Sequence, residues 1–220
     1  MKHQDYHHFN ETINQGMPIV MFDRVVNEIN CDKVIVDDLK GSRIAVEKLI
    51  SNACKNIALI TTKDYVSVGR LRTQGYLEAL EAHKMIAESG LILKVNDDLV
   101  TDDHIEVLEE EVELLFKSNP KIDAVFAVNE LYAVTAMKVA RSLGLSVPDD
   151  VQVIGFSDGV LSKHATPTLT TVSQHAQIMG EKAAELLIQR LENESDDEEE
   201  IEQYQTLVVD TELIERDSTK

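Results

Sequence analysis

Residues 124–156 read AVFAVNELYAVTAMKVARSLGLSVPDDVQVIGF, and the fold class turns on what this stretch becomes. Ala124-Val-Phe-Ala-Val128 is an unbroken apolar run of strand length, and from Glu130 to Leu143 the apolar residues recur at helical spacing. Gly144 follows the last periodic residue, where a left-handed C-cap carries no Cβ penalty, and Pro148 blocks a return to helix. Val151-Gln-Val-Ile-Gly-Phe156 is then a second strand. A strand, a crossover helix and a strand can pair only in parallel.

The same alternation extends towards the amino terminus. Val34-Ile-Val36 precedes a helix near Gly41 to Asn52, and Ile57-Ala-Leu-Ile60 precedes one near Arg70 to His83. Leu91-Ile-Leu-Lys-Val95 is followed by Ile105, Leu108, Val112 and Leu115 at helical spacing. Five strands joined by helices predict an α/β, doubly wound parallel sheet. None of the five alternates polar with apolar residues, which is what two covered faces require.

Ligands in such sheets bind beyond the carboxyl ends of the strands. Those ends are Asp37-Asp38, Thr61-Thr62-Lys63-Asp64, Asn96-Asp97-Asp98, Asn129-Glu130 and Ser157-Asp158, all polar. Arg72 starts the helix after the second strand, so its guanidinium either reaches over this edge to a hydroxyl-rich or anionic ligand or forms an exposed surface pair. Asn129 offers a donor and an acceptor towards the same crevice, although as a helix N-cap it needs no ligand.

The remaining pieces do not complete this unit. A helical stretch at Phe9 to Gln15 leads through Gly16 and Pro18 to Ile19-Val-Met-Phe22, and a helix from Ala176 to Leu191 leads through an acidic loop to Leu207-Val-Val209. They predict a partial amino-terminal lobe of residues 1–25 and 173–209 beside a lobe of 26–172 and 210–220. Crossings near Asp23 to Asn27, Thr171 to Gln174 and Asp210 would form a hinge.

A net charge of −19 repels phosphate backbones and anionic membranes, so the chain as it stands is not expected to bind DNA. Asn96 to Glu113 and Glu192 to Glu202 carry 9 and 8 carboxylates with no Lys or Arg, and the rest is nearly balanced. Apolar runs fall far short of the ~18 residues a membrane span needs, and no secretory core opens the chain, so a cytoplasmic location is expected. Cys31 and Cys54 form no CxxC and read as reduced, buried thiols.

Nucleotide-loop, esterase and zinc-protease motifs are missing from the sequence. No catalytic residue, metal or cofactor is expected. His3, His7 and His8 read as solvated, and Asp97-Asp98 with Asp102-Asp103 as an acidic face rather than a calcium loop. Ser157 is the one serine placed as a nucleophile would be, and a loop serine satisfied by backbone is its plainer reading.

Six blocks in order resemble the LacI/GalR-type family of bacterial transcription regulators: Met17-Pro-Ile-Val-Met-Phe-Asp-Arg24, Arg72-Thr-Gln-Gly-Tyr76, Ala124 to Asn129, Leu143 to Phe156, Pro167-Thr-Leu-Thr-Thr-Val172 and Leu213-Ile-Glu-Arg-Asp-Ser-Thr219. The resemblance implies a periplasmic-binding-protein-like type I effector domain, with one complete lobe, part of the second, and neither a helix-turn-helix nor the opening strands. It implies that Arg72 and Asn129 contact a small effector, a sugar or sugar phosphate, and that Gln174 lies near the cleft. Ser157, with Asp158 after it, stands where the family commonly has Asp, and Leu99 where it often has a stacking aromatic. DNA contact would need the missing amino-terminal domain, and the intact regulator would be a homodimer. A transporter's solute-binding protein is the rival reading, because the fold is shared.

Overall fold

A computed structural model describes residues 6–63, 67–96, 105–192 and 203–220. Along the chain the elements are α1 (His7–Asn14), β1 (Val20–Phe22), β2 (Asp32–Val36), α2 (Asp38–Ser51), β3 (Ile57–Thr62), α3 (Ser67–Ala82), β4 (Ile92–Val95), α4 (Ile105–Ser118), β5 (Ala124–Ala127), α5 (Glu130–Ser142), β6 (Gln152–Phe156), α6 (Val160–His164), β7 (Thr170–Ser173), α7 (Ala176–Glu192), β8 (Thr206–Val209) and β9 (Glu212–Ile214). They form two compact units, a smaller one of 1–36 and 175–210 and a larger one of 37–174 and 211–220.

Among the described residues the larger unit has a six-stranded sheet in the order β4-β3-β5-β6-β7-β9. Its first five strands are parallel, and β9 runs antiparallel to β7 with Val172 opposite Leu213. Every residue of β3, β5, β6 and β7 is buried, so the sheet is covered on both faces as its unbroken apolar runs require. Helix α2 packs on α3, and α4 on α5.

The deciding stretch folds as its local signals dictate. Asn129 Oδ1 accepts a hydrogen bond from the Tyr132 amide at 2.8 Å, capping α5, and its backbone is extended as a cap requires. Tyr132, Ala133, Ala136, Met137 and Ala140 form the buried stripe of that helix. Gly144 ends it at φ +81°, with the Leu145 amide returning to the Ala140 carbonyl at 2.9 Å.

In the smaller unit β1, β2 and β8 form a parallel sheet with β2 in the centre. Helix α7 packs on it, burying Met179, Ala183 and Leu186, while Tyr6, Phe9 and Ile13 pack on a core of Met21, Ile29 and Cys31. Phe22 and Val208 remain more than half exposed.

Two expectations need correction. The run at 34–36 is not the first strand of the large sheet: it is β2, and its partners are β1 and β8. Its tight turn into α2, where Asp37 Oδ1 caps the Lys40 amide at 2.9 Å, makes it look like another repeat of the strand–helix pattern. The first crossing between units accordingly falls at 36–37 rather than near Asp23 to Asn27, and the others fall at 174–175 and 210–211. The fifth parallel strand is β7, whose threonines disguise a buried core strand.

Candidate functional site

The order of the larger sheet reverses at β3 and β5. Strand β3 leads to β4 on one side, and β4 leads back to β5 on the other. At such a switch point the crossover helices diverge and leave a crevice beyond the carboxyl ends of the strands.

Arg72 of α3 serves this edge from below. It is buried, and its Nε and Nη2 each lie 2.7 Å from Asp38 Oδ1. Nη1 donates to the Val128 carbonyl at 2.6 Å, and Cζ stands 3.7 Å from the centre of the Phe156 ring. The arginine is therefore no exposed surface pair. It is held by a buried carboxylate, a strand-end carbonyl and an aromatic face.

Arg72 and Asn129 are brought near one another along the chain, since Val128, which accepts from the guanidinium, directly precedes Asn129. The Asn129 Oδ1 caps α5, while its Nδ2 has no hydrogen bond among the described residues.

Ser157 ends β6 in the left-handed region at φ +81°. Its amide donates to the Val172 carbonyl at 2.9 Å, and its carbonyl accepts from Thr171 Oγ1 at 2.6 Å. Its hydroxyl donates to Gln174 Oε1, so these two predicted residues also meet. An amide oxygen is too weak a base to make that hydroxyl a nucleophile.

Asp158 is held in ion pairs. Its carboxylate bonds Arg216 Nη2 at 2.5 Å and lies 3.5 Å from Lys163 Nζ, so its charge is neutralised inside the unit. Leu99, Asp64, Asp97-Asp98, Asp102-Asp103 and His3 lie outside the described residues. His7 and His8 lie on α1, where His7 Nδ1 is 3.3 Å from Glu11. Cys31 and Cys54 are buried free thiols. Among the described residues no cluster of His, Cys, Asp or Glu could hold a metal ion, and no helix is long and apolar enough to cross a membrane.

Sequence reasoning missed three contributors. Asp38 is one of two adjacent carboxylates, and nothing local says that Asp37 caps the helix while Asp38 turns to the arginine. Phe156 reads as core, and Glu130 as one more polar strand end.

Residues 46–219 match the periplasmic binding protein-like domain. The chain belongs to this family. Its relatives within it are LacI-type transcriptional regulators. The HTH-type transcriptional regulator CelR of Thermobifida fusca is 33% identical over 205 residues, which cover 92% of this chain and 57% of that protein. The ribose operon repressor of Halalkalibacterium halodurans is 31% identical over 93% of this chain and 57% of its own length. The chain thus spans little more than half the length of these curated relatives. Among solved structures, a CelR–cellobiose complex superposes with a TM-score of 0.80 at 32% identity, covering 92% of this chain and 59% of that one. A LacI-family regulator from Enterococcus faecium with bound ribose gives 0.81 at 23% identity, covering 98% and 75%, which speaks for the periplasmic-binding-protein-like fold alone.

Proposed function

We propose that this chain is the effector-sensing part of a LacI-type regulator and that a sugar or sugar phosphate binds at the carboxyl ends of β3, β5 and β6. The observation that carries this reading is the convergence of Arg72, fixed by Asp38, with the Asn129 amide at the switch point of the sheet. Paired donors and acceptors of fixed geometry suit hydroxyl groups, and a solved relative holds cellobiose. Ser157 and Gln174 complete the contact set, and Asp158 supports it as an ion pair.

Regulation rather than catalysis fits the relatives, all transcription regulators by name. The effector would act through different affinities for two arrangements of the lobes, in a cytoplasmic homodimer whose helix-turn-helix portion touches DNA. The chain's own charge of −19 assigns DNA contact to that other portion.

Calorimetry against cellobiose, ribose, glucose 6-phosphate and ribose 5-phosphate tests the reading. At least one should bind, and Asn129→Ser should weaken it about tenfold with the melting temperature unchanged, because serine still caps the helix but cannot reach a ligand. Binding by none of the four would overturn the sugar-sensing assignment.

A further inference from the structure

The turn from Ser157 to Ser162 is anchored by one carboxylate. Glu130 Oε2 accepts from the Gly159 amide at 3.0 Å, the Ser162 amide at 3.2 Å and the Ser162 hydroxyl at 2.9 Å. A Cβ on residue 159 would fall 2.2 Å from Glu130 Oε1, so a side chain there would have to push the carboxylate from this position. Ser162 is fully buried, and its Oγ also lies 3.2 Å from the Ser157 carbonyl. The one Ser162 proton goes to Glu130, the shorter contact, so Glu130 holds the turn through the Gly159 and Ser162 amides and this hydroxyl.

Ser157 needs such support. A serine at φ +81° persists only where its surroundings over-determine it, and here both backbone polar groups are engaged, by Val172 and Thr171. Glu130 follows Asn129 directly, so the carboxylate that holds the turn and the amide that caps the helix leave the same end of α5. One oxygen accepting three donors calls for a full charge, because a neutral amide oxygen holds them less strongly and places an NH2 group against the Gly159 amide.

We propose that Glu130 is a positioning residue of the effector site. It fixes the 157–162 turn so that the Ser157 hydroxyl keeps its place relative to the Asn129 amide and to Gln174. The proposal rests on the sugar-sensing reading above and assigns a role to a residue that itself touches no ligand.

The test is Glu130→Gln in the full chain, titrated with cellobiose, ribose, glucose 6-phosphate and ribose 5-phosphate. For whichever sugar the unaltered protein binds, affinity should fall about tenfold, and amide exchange at Gly159 and Ser162 should quicken while α4 stays unchanged. A merely structural role would lower the melting temperature and leave affinity at its original level, which would overturn the proposal. Should Glu130→Gln fail to fold, Ser162→Ala removes only the hydroxyl between Glu130 and Ser157, and about threefold weaker binding is expected. Sugar binding by the unaltered chain with no loss in the folded variants sinks the positioning role alone. No binding by the unaltered chain sinks the sugar-sensing reading and this role together.

Discussion

Each of the two units buries an aspartate–arginine pair with an aromatic ring beside the guanidinium. In the larger unit Asp38 and Arg72 are both about 5% exposed and Phe156 lies under the arginine. In the smaller unit Asp32 is 1% and Arg190 17% exposed, with Tyr204 at 5.0 Å. The chemistry is the same and the position along the strands is opposite. Asp32 opens β2 and accepts from the Gln205 amide at 2.7 Å, while Arg190 Nη2 reaches the Gln203 carbonyl at 2.9 Å, so this pair fastens the start of β8. Arg72 instead binds the carbonyl just beyond the end of β5. On the proposed function, the end of the sheet a pair occupies, and not its composition, separates a fastener from a recognition element.

The strongest way to break this comparison is to delete each carboxylate. Asp38→Ala leaves a buried guanidinium without its counter-charge and should cost about 3–5 kcal/mol of stability in urea denaturation, together with sugar binding. Asp32→Ala should cost less, about 2–3 kcal/mol, because Arg190 can turn to water, and should leave sugar affinity unchanged. Loss of binding in Asp32→Ala, or its retention in a folded Asp38→Ala, would erase the distinction.

A second comparison concerns the thiols. Burial raises the Cys31 thiol in the smaller unit, and burial reinforced by Asp123 pushes Cys54 in the larger unit from 9.0 to about 11. Below pH 9 folded and unfolded chains both keep the Cys54 proton and the stabilisation is whole. As pH rises from about 9 through about 11 the unfolded chain releases that proton first, so stability drains by about 2 kcal/mol. Burial also raises the Tyr76 hydroxyl, which donates to the Ile57 carbonyl, so the whole alkaline limb is shared. The Cys54 share is the part that Cys54→Ala removes, and an equally steep limb in that variant would contradict the assignment.

What was legible in the sequence is what is locally determined. Strand runs, the Asn129 cap and the Gly144 stop are written within a few residues of where they act. Strand membership is not. Asp32–Val36 finds β8 across most of the chain, and no feature of those five residues names that partner. Strand β7 was hidden by chemistry: Thr170 is buried because its hydroxyl pairs with Thr219 Oγ1 at 2.8 Å, and Thr171 because its hydroxyl donates to Ser157. For the candidate site, Asn129 could be picked out as a polar group at a strand end and Arg72 as a cation on the helix that follows one. Asp38, Phe156 and Glu130 could not, because their roles exist only once distant elements meet.

The smallest expected effect sharpens the contrast most finely. Both units hold non-glycine residues at positive φ, but Asp23 in the smaller unit, at +60°, is of a type that tolerates the left-handed region, whereas Ser157, at +81°, is not. Ser157→Gly relieves that strain, which is worth about 1–2 kcal/mol, and gives back part of it through the greater freedom of glycine when unfolded. The net gain should be about 0.5 kcal/mol, read as a slightly higher urea midpoint, while sugar affinity falls several-fold because the hydroxyl is gone. Stability and affinity would then move in opposite directions, as expected where a fold tolerates strain to present a side chain. If both fell together, the backbone at 157 would be relaxed and its serine a structural residue like those of the smaller unit.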